Sequence, residues 1–165
     1  MKILFVCLGN ICRSPLAEAV FKNVIAREEL EELITVDSAG TSNYHIGSGP
    51  DARSYENAKL NDINIEHCAR QIESEDLKTF DYVIAMDKEN FKNIIRLASS
   101  DQQKEKIYLM RGFEIDGTYS TRYVENVPDP YFGGEEGFQL VFDILKNSCD
   151  NLLSYLKIRH PELNK

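Results

Sequence analysis

Hydrophobic residues along the chain fall into two kinds of pattern, short continuous apolar runs and longer segments with helical spacing. The short runs predict four strands, at residues 2–7, 34–38, 81–85 and 106–110. The helical spacing predicts helices at residues 14–29, 51–61 and 137–157, a helix that is capped by Asp87 and runs to about residue 97, and a short helical turn at 74–78. Strands that alternate with helices are typical of α/β proteins. We therefore expect a small doubly wound sheet of four parallel strands with helices on both faces.

Length and composition are those of an ordinary soluble globular protein. The chain has 165 residues, of which 42% are hydrophobic and 28% are charged, and we expect residues 1–165 to form a single domain. No apolar run approaches the ~20 residues of a membrane helix, and the N-terminus has no signal-peptide pattern. We therefore expect a cytoplasmic protein without a membrane partner.

Charge and cysteine spacing argue against two further classes. The formal net charge is −8, and no basic stripe is long enough to follow a nucleic-acid backbone, so nucleic acid is not an expected partner. The four cysteines lack the paired spacing of a zinc site and are too sparse for a disulfide scaffold. We expect no metal and no cofactor, and any anion site must be local.

One segment, residues 7–15, joins the first predicted strand to the first predicted helix. Ser14 is a candidate N-cap, and Pro15 suits the first position of the helix. Backbone N–H groups that cannot pair within a helix point toward such a loop, and the helix dipole favours an anion there. The segment is therefore predicted to bind a phosphate group.

Cys7 and Arg13 stand in this segment in the pattern C-x5-R. Only the thiolate of a cysteine is a good nucleophile, and a helix N-terminus beside a cation favours that form. An arginine fork can hold two phosphoryl oxygens at once and keeps its charge. Ser14 could stabilise the departing sulfur, and Gly9 lets the backbone approach the anion. A nucleotide-binding P-loop is excluded, because the G-K-[ST] ending is absent.

Cys12 lies in the same segment and leaves two interpretations open. A loop curled around an anion could bring the sulfurs of Cys7 and Cys12 together, and a reversible disulfide would then protect the nucleophile from irreversible oxidation. Alternatively, Cys12 packs under the loop as a small hydrophobic residue. The sequence favours neither interpretation.

A second segment, V-P-D-P-Y-F-G-G at residues 127–134, supplies an acid that the loop lacks. The prolines on either side of Asp129 stiffen its backbone and could aim the carboxyl group at a departing oxygen. Tyr131 and Phe132 could form a slot for a phenyl ring, with Tyr44 as another wall. The segment therefore predicts a phosphorylated tyrosine as the substrate.

The sequence resembles the low-molecular-weight protein tyrosine phosphatases over nearly its whole length. The resemblance is carried by V-C-L-G-N-I-C-R-S-P, D-S-A-G-T, H-x-A-R-Q-I, F-D-Y-V-I-A-M-D and D-P-Y-F-G-G. It implies a cysteinyl-phosphate mechanism in which Cys7 is the nucleophile, Arg13 binds the phosphoryl oxygens and Asp129 is the general acid. It also implies phosphate binding or loop support by a further set of residues: Leu8, Gly9, Asn10, Ile11, Cys12, Ser14, Ser38 and His67.

The same resemblance implies the substrates and the assembly. The expected substrates are phosphotyrosine proteins or peptides and small aryl phosphates, the product is inorganic phosphate, and the chain is expected to be a monomer or a weak homodimer. Two aromatic positions depart from the family pattern. Phe132 stands where relatives usually carry a second tyrosine, which leaves Tyr131 as the available phosphorylation site. Tyr44 stands where many relatives carry tryptophan, and this leaves the substrate preference open.

Three other classes fit the sequence less well. Thioredoxin-coupled arsenate reductases share the loop but need a further pair of redox cysteines, and residues 81–97 contain none. A catalytically silent phosphotyrosine-binding module would lack the nucleophile or the acid. A phosphocarrier cysteine loop would pass its phosphate to a partner, whereas Arg13 and Asp129 favour hydrolysis.

Overall fold

The computed structural model describes residues 1–164, and its central element is a four-stranded sheet. The strands are β1 (Lys2–Cys7), β2 (Thr35–Gly40), β3 (Tyr82–Ala85) and β4 (Ile107–Leu109). They lie in the order β2, β1, β3, β4, and each neighbouring pair is parallel. The predicted fold class, an α/β sheet of four parallel strands, is confirmed.

Helices connect the strands and cover both faces of the sheet. They are α1 (Arg13–Arg27), α2 (Ala52–Leu60), α3 (Asp76–Thr79), α4 (Lys88–Leu97), α5 (Asp101–Lys104) and α6 (Glu135–Arg159). Short 3₁₀ helices follow β4 and α6, at Met110–Phe113 and Pro161–Leu163. Within residues 1–164, no helix combines the length and the apolarity that crossing a bilayer requires.

Side chains of β1 alternate between two hydrophobic cores, one on each face of the sheet. Ile3 and Phe5 belong to the larger core, which they share with α1 and α6. Leu4 and Val6 belong to the smaller core, where Ile94 of α4 packs. These four side chains are fully buried. A strand buried on both faces has a continuous apolar sequence, which explains why the sequence predicts β1 with its observed bounds.

Helix ends account for most of the differences from the prediction. Asp51 caps α2 with its side chain, so this helix begins one residue after its predicted start. Asp87 caps α4, as the sequence predicts. The sequence does not predict α5, because four residues are too few to show a hydrophobic period. The α6 helix begins at Glu135, two residues before its predicted start. The negative charges of two glutamates in its first turn interact favourably with the positive end of the helix dipole and stabilise this earlier start.

Candidate active site

The loop between β1 and α1 lies at the carboxyl end of β1, where the sheet extends toward β2 on one side and β3 on the other. Ligands of doubly wound sheets bind at such a switch point. The register places Cys7 opposite Gly40, the last residue of β2. A Cβ atom on Gly40 would lie 2.7 Å from the carbonyl oxygen of Leu8. The loop therefore rests directly on the backbone of β2, a close approach that sequence analysis misses.

The sulfur of Cys7 is buried among polar groups of its own loop. The backbone N–H of Asn10 donates to Cys7 Sγ at 3.2 Å, and the hydroxyl of Ser14 lies 3.0 Å from the same sulfur. A donor aimed at the sulfur stabilises negative charge there. The loop thus surrounds one potential nucleophile with groups that suit its thiolate form.

Ser14 does not cap α1, contrary to the prediction. The helix begins at Arg13, Cys12 occupies the N-cap position without a side-chain cap, and Pro15 is the third helical residue. The Ser14 hydroxyl instead contacts Cys7 Sγ and donates to the carbonyl oxygen of Ala39. Because no side chain caps this helix, N–H groups of its first turn stay available to an anion.

Asn10 holds the loop in shape from inside. It is fully buried, and its backbone has a φ of 56°, in the left-handed region that few residues other than glycine adopt. Its side-chain amide donates to Ser14 Oγ at 2.9 Å and to Ser38 Oγ at 3.0 Å, and its Oδ1 accepts from the backbone N–H of Arg70. These bonds offset the backbone strain and fix the position of the loop.

Glu18 of α1 extends this network, and sequence analysis did not single it out. Ser38 Oγ donates to Glu18 Oε2 at 2.6 Å, while His67 Nε2 donates to the carbonyl oxygen of Asn10 at 2.6 Å. The other ring nitrogen of His67 lies 3.9 Å from the Glu18 carboxylate. The signal in the sequence is a lone glutamate among the apolar residues of α1 that face the core. Ser38 and His67 thus both form hydrogen bonds with Asn10 of the loop.

Arg13 is buried and paired with carboxylates on two other segments. Its Nη1 donates to Asp87 at 2.7 Å and to the carbonyl oxygen of Val127 at 3.1 Å, and its Nη2 donates to Asp129 at 3.1 Å. Burial alone would lower the pKa of Arg13, but the negative charges of Cys7, Asp129 and Asp87 raise it above its ordinary value. Arg13 therefore remains a cation, and three hydrogen-bond acceptors hold its guanidinium in position.

The segment that contains Asp129 approaches the loop from the opposite side. Asp129 is partly exposed, and its Oδ1 accepts from the backbone N–H of Tyr131 while its Oδ2 accepts from Arg13. The predicted acid thus lies beside the predicted phosphate-binding arginine. They are 116 positions apart in the chain.

A pocket of about 200 Å³ opens above the loop. Its base is formed by loop residues, namely Cys7, Leu8, Gly9, Ile11, Cys12 and Arg13. Its walls are Asp129 and the three predicted aromatic residues, Tyr44, Tyr131 and Phe132, together with His45. Sequence analysis missed His45, whose ring lies 6.4 Å from that of Tyr131. A Cβ atom on Gly9 would lie 3.0 Å from the His45 ring, so Gly9 allows this ring to approach.

Cys12 packs beneath the loop in a small hydrophobic cluster with Ile11, Ala69 and Phe138. Burial, with a smaller contribution from the charge of Asp51, raises the pKa of Cys12 to about 12. This supports the packing interpretation at neutral pH for a thiol that is free in the structure. In the part of the chain that the structure describes, no cluster of three or more histidine, cysteine or carboxylate side chains is arranged to hold a metal ion.

A strand-to-helix loop with a buried cysteine, an ordered arginine and a facing aspartate defines the class of cysteine-dependent phosphatases. The family model described as low molecular weight phosphotyrosine protein phosphatase matches residues 2–162, and the chain belongs to this family. The predicted family is confirmed, as is the enzyme class, a cysteine-based hydrolase of phosphate monoesters.

Relatives and solved structures agree with this assignment over nearly the whole chain. A low molecular weight phosphotyrosine protein phosphatase of Schizosaccharomyces pombe is 44% identical over 155 residues, covering 93% of this chain and 95% of its own. A protein tyrosine phosphatase of Entamoeba histolytica, solved with Hepes in the active site, is 43% identical with a TM-score of 0.87, covering 98% of this chain and 99% of its own. A Drosophila arginine phosphatase is 33% identical with a TM-score of 0.85, covering 95% and 98%.

Proposed function

We propose that this protein hydrolyses phosphotyrosine in proteins or peptides, and small aryl phosphates, with Cys7 as nucleophile, Arg13 as phosphoryl ligand and Asp129 as general acid. The observation that carries the proposal is the placement of the Cys7 sulfur and the Arg13 guanidinium at the base of a pocket with aromatic walls. Asp129 lines the same pocket, within reach of the departing oxygen of a bound ester.

The phosphoryl group would bind to free N–H groups of the loop and to Arg13. In the resting site, Arg13 Nη1 is held by Asp87 and Val127, whereas Nη2 contacts Asp129. Phosphoryl oxygens would take over the Nη2 contact, because a doubly charged phosphate is the stronger acceptor. This exchange leaves Arg13 in position and releases the Asp129 carboxyl group toward the leaving oxygen.

In the first step, Cys7 Sγ attacks phosphorus, and the bond between phosphorus and the phenolic oxygen breaks. Asp129 gives its proton to that oxygen, which leaves as tyrosine, and a cysteinyl phosphate remains. In the second step, water attacks phosphorus and gives its proton to Asp129, and the sulfur leaves as a thiolate. The Asn10 N–H and the Ser14 hydroxyl then stabilise this sulfur, and inorganic phosphate is released.

The walls of the pocket support an aryl substrate. Tyr131 is 38% exposed and its ring contacts Arg53, whereas Tyr44 and Phe132 project into solvent at 75% and 95% exposure. A phosphoarginine substrate, which the Drosophila relative's title indicates for that protein, would bring a guanidinium that needs acceptors. Among the described residues that line this pocket, Asp129 is the single carboxylate, whereas Tyr44, Tyr131 and Phe132 present aromatic rings, so the lining favours a phenyl ring.

We also propose a cytoplasmic location for one domain spanning residues 1–165, with neither a membrane nor a nucleic acid as a partner, as a monomer or a weak homodimer. Free thiols suit a reducing compartment, and all four cysteines are free: Cys7, Cys12, Cys68 and Cys149. The formal net charge of −8 disfavours association with phosphate backbones.

The test compares one peptide sequence carrying phosphotyrosine, phosphoserine or phosphoarginine at the same position, with arsenate reduction as a control reaction. We expect the highest kcat/KM for phosphotyrosine and no arsenate reduction. Rapid-quench mass spectrometry should trap a phosphate on Cys7 during phosphotyrosine turnover. A higher kcat/KM for phosphoarginine would contradict the substrate class, and phosphate trapped on another residue would contradict the nucleophile.

A further inference from the structure

A groove of about 500 Å³ lies beside the active-site pocket, between α2 and the first turns of α6. It is larger than the active-site pocket itself, at about 200 Å³. Its lining is mainly apolar and includes Ala52, the buried ring of Phe138 and Leu60, whose side chain is 84% exposed. The chemical steps above use none of these residues.

Arg53 separates this groove from the active-site pocket. Its guanidinium carbon lies 5.5 Å from the centre of the Tyr131 ring, a wall of the active site, and 4.9 Å from the centre of the Phe138 ring in the groove. The two rings are therefore no more than about 10 Å apart, which an extended chain spans in about three residues. A peptide whose phosphotyrosine occupies the active site can thus reach the groove.

Phe138 also connects the groove to the phosphate-binding loop. Its ring packs in one cluster with Ile11 and Cys12. Both loop residues line the active-site pocket as well. The two cavities are therefore adjacent, with one layer of packed side chains between them.

The charges around the groove are unbalanced. The cation of Arg53 is paired with Asp51 through two side-chain hydrogen bonds. Glu56, Glu135 and Glu136 also line the groove and are exposed, and within residues 1–164 none of the three has an ion-pair partner. Uncompensated carboxylates at the rim of an apolar groove favour an occupant with a cationic head and an aliphatic stem.

An unpaired polar atom in the lining also supports an occupant that brings hydrogen-bond donors. Asn57 donates through its Nδ2 to Gln139, but its Oδ1 is buried without a hydrogen-bond partner in the described residues. An unpaired buried acceptor costs free energy, which a donor brought by an occupant would recover. Arginine and lysine side chains bring donors and no acceptor.

We propose that this groove binds an arginine or lysine side chain of the substrate, about three residues away from the phosphotyrosine. The aliphatic stem lies on Phe138 and Ala52, and the cation faces Glu56, Glu135 and Glu136. The groove thus selects phosphotyrosine sites that have a basic neighbour. This inference rests on the proposed function, because it takes the phosphotyrosine of the same peptide to occupy the active site.

The first test measures kcat/KM for phosphotyrosine peptides in which one arginine is moved through the positions from three before to three after the phosphotyrosine. Each peptide has a partner with norleucine, which keeps the aliphatic stem and removes the charge. We expect arginine to be preferred by about three- to tenfold at one outer position, through a lower KM. Equal values for all pairs, or a preference for norleucine, would overturn the proposal.

Two variants test whether the preference for arginine over norleucine depends on the carboxylates of the groove. The double variant Glu135→Gln with Glu136→Gln should bring the arginine-to-norleucine ratio close to one. The matched control, Glu31→Gln with Glu32→Gln, removes two exposed carboxylates from the segment that precedes β2, at the opposite end of the sheet, and should retain the ratio. An unchanged ratio in the groove variant would overturn the proposal.

Binding is measured separately from catalysis, so that failure of the groove and failure of the proposed function are distinguishable. The arginine peptide should shift the NMR signals of the Asn57 and Gln139 side-chain amides, and the norleucine peptide should shift them much less. Equal shifts with both peptides, or shifts that depend only on protein concentration and indicate a second copy of the chain, would overturn the groove proposal. If the unmodified enzyme does not hydrolyse an aryl phosphate, the proposed function fails. The shifts of the amide signals then test by themselves whether the groove binds the arginine side chain.

Discussion

The two sides of the active site are built differently. On one side, Asn10 and Ser14 are fully buried, and each makes several side-chain hydrogen bonds. On the other side, Asp129 relies on Arg13 and on the N–H of its own turn, and Phe132 is 95% exposed. The phosphate side is held in position by the fold, whereas the leaving-group side consists of a surface segment with few restraints.

This difference follows from what each side must do. Stabilising the negative charge on the phosphoryl oxygens requires donors that are already oriented, since their reorganisation during the reaction would cost free energy. The leaving-group side must instead admit substrates of different shape and deliver one proton. Substitutions on the fixed side should therefore impair the chemistry or the fold, and substitutions on the exposed side should change which substrates are used.

The largest effect is expected from Cys7→Ser, which removes the nucleophile and keeps the shape of the loop. Turnover of an aryl phosphate should fall by a factor on the order of 10⁴–10⁶, because the serine hydroxyl has no general base beside it. Binding of inorganic phosphate, measured by calorimetry, should persist. Cys68→Ser, at an exposed cysteine, is the control and should retain full activity. Normal turnover of the Cys7 variant would refute the nucleophile assignment.

Asp129→Asn should give the next largest effect and separates the two sides kinetically. Loss of the proton donor should lower kcat on phosphotyrosine by about 10²–10⁴, with a much smaller loss on an aryl phosphate whose leaving group is already acidic. The measurement is kcat for a series of aryl phosphates with different leaving-group acidity. Equal losses across the series would remove Asp129 from the acid role.

Ser38→Ala tests how far the fixed side depends on its buried network. The change removes one hydrogen bond from the buried Glu18 carboxylate and one from the Asn10 Nδ2 group, which keep only their hydrogen bonds to Lys22 and Ser14, so the free energy of unfolding should fall by about 1–3 kcal/mol. Urea denaturation measures this loss, and KM for an aryl phosphate should rise with it. Ser48→Ala, at an exposed serine, should leave both values unchanged. A stable Ser38 variant would show that the network does not support the loop.

The buried thiol of Cys12 predicts a smaller and pH-dependent effect. Its pKa is raised from 9.0 to about 12, so the folded protein retains this proton more tightly than the unfolded chain does. The resulting stability is fully present below pH 9 and is lost as the pH rises toward 12. At pH 10 the loss should be about 1 kcal/mol.

Denaturation curves for the unmodified protein and for Cys12→Ala, recorded from pH 7 to 10.5, isolate this contribution. The variant has lower stability throughout, because it loses packing, but its stability should fall less steeply above pH 9. Parallel pH profiles for the two proteins would contradict the prediction. The pH dependence would then have to come from other groups.

Phe132→Ala should give the smallest effect. The ring is almost fully exposed, so its loss should change KM for phosphotyrosine peptides by only about twofold, with kcat unchanged. Steady-state kinetics on phosphotyrosine peptides and on a small aryl phosphate would measure this. A large fall in kcat would show that the exposed side is more ordered during turnover than it is in the resting structure.

The sequence predicts the parts of the site whose members are near each other in the chain. Cys7 and Arg13 fall within one strand-to-helix connection, and Asp129 is marked by the prolines and aromatic residues around it. The pairing of Arg13 with Asp87 joins positions 74 apart, and the sequence shows Asp87 only as a helix cap. Glu18 and Gly40 are missed for the same reason, since their roles depend on which backbones meet in three dimensions.

Ser14 shows how a local rule can fail. A serine before proline at a helix start is a reasonable cap, but the helix here starts one residue earlier, at Arg13. Tertiary contacts with Cys7, Asn10 and Ala39 recruit the hydroxyl and override the capping preference. The N-cap position is left to Cys12, which contributes packing and no side-chain hydrogen bond.

The bond from Arg13 to the Val127 carbonyl has a mechanical consequence for the acid. Val127 is buried, and its N–H donates to Met86 at the end of β3, so the backbone of this residue is anchored from both sides. Asp129 is only two residues further along, so the proton donor and the phosphate-binding guanidinium share one backbone support at the end of β3. A change that displaces Arg13 should therefore also move the acid.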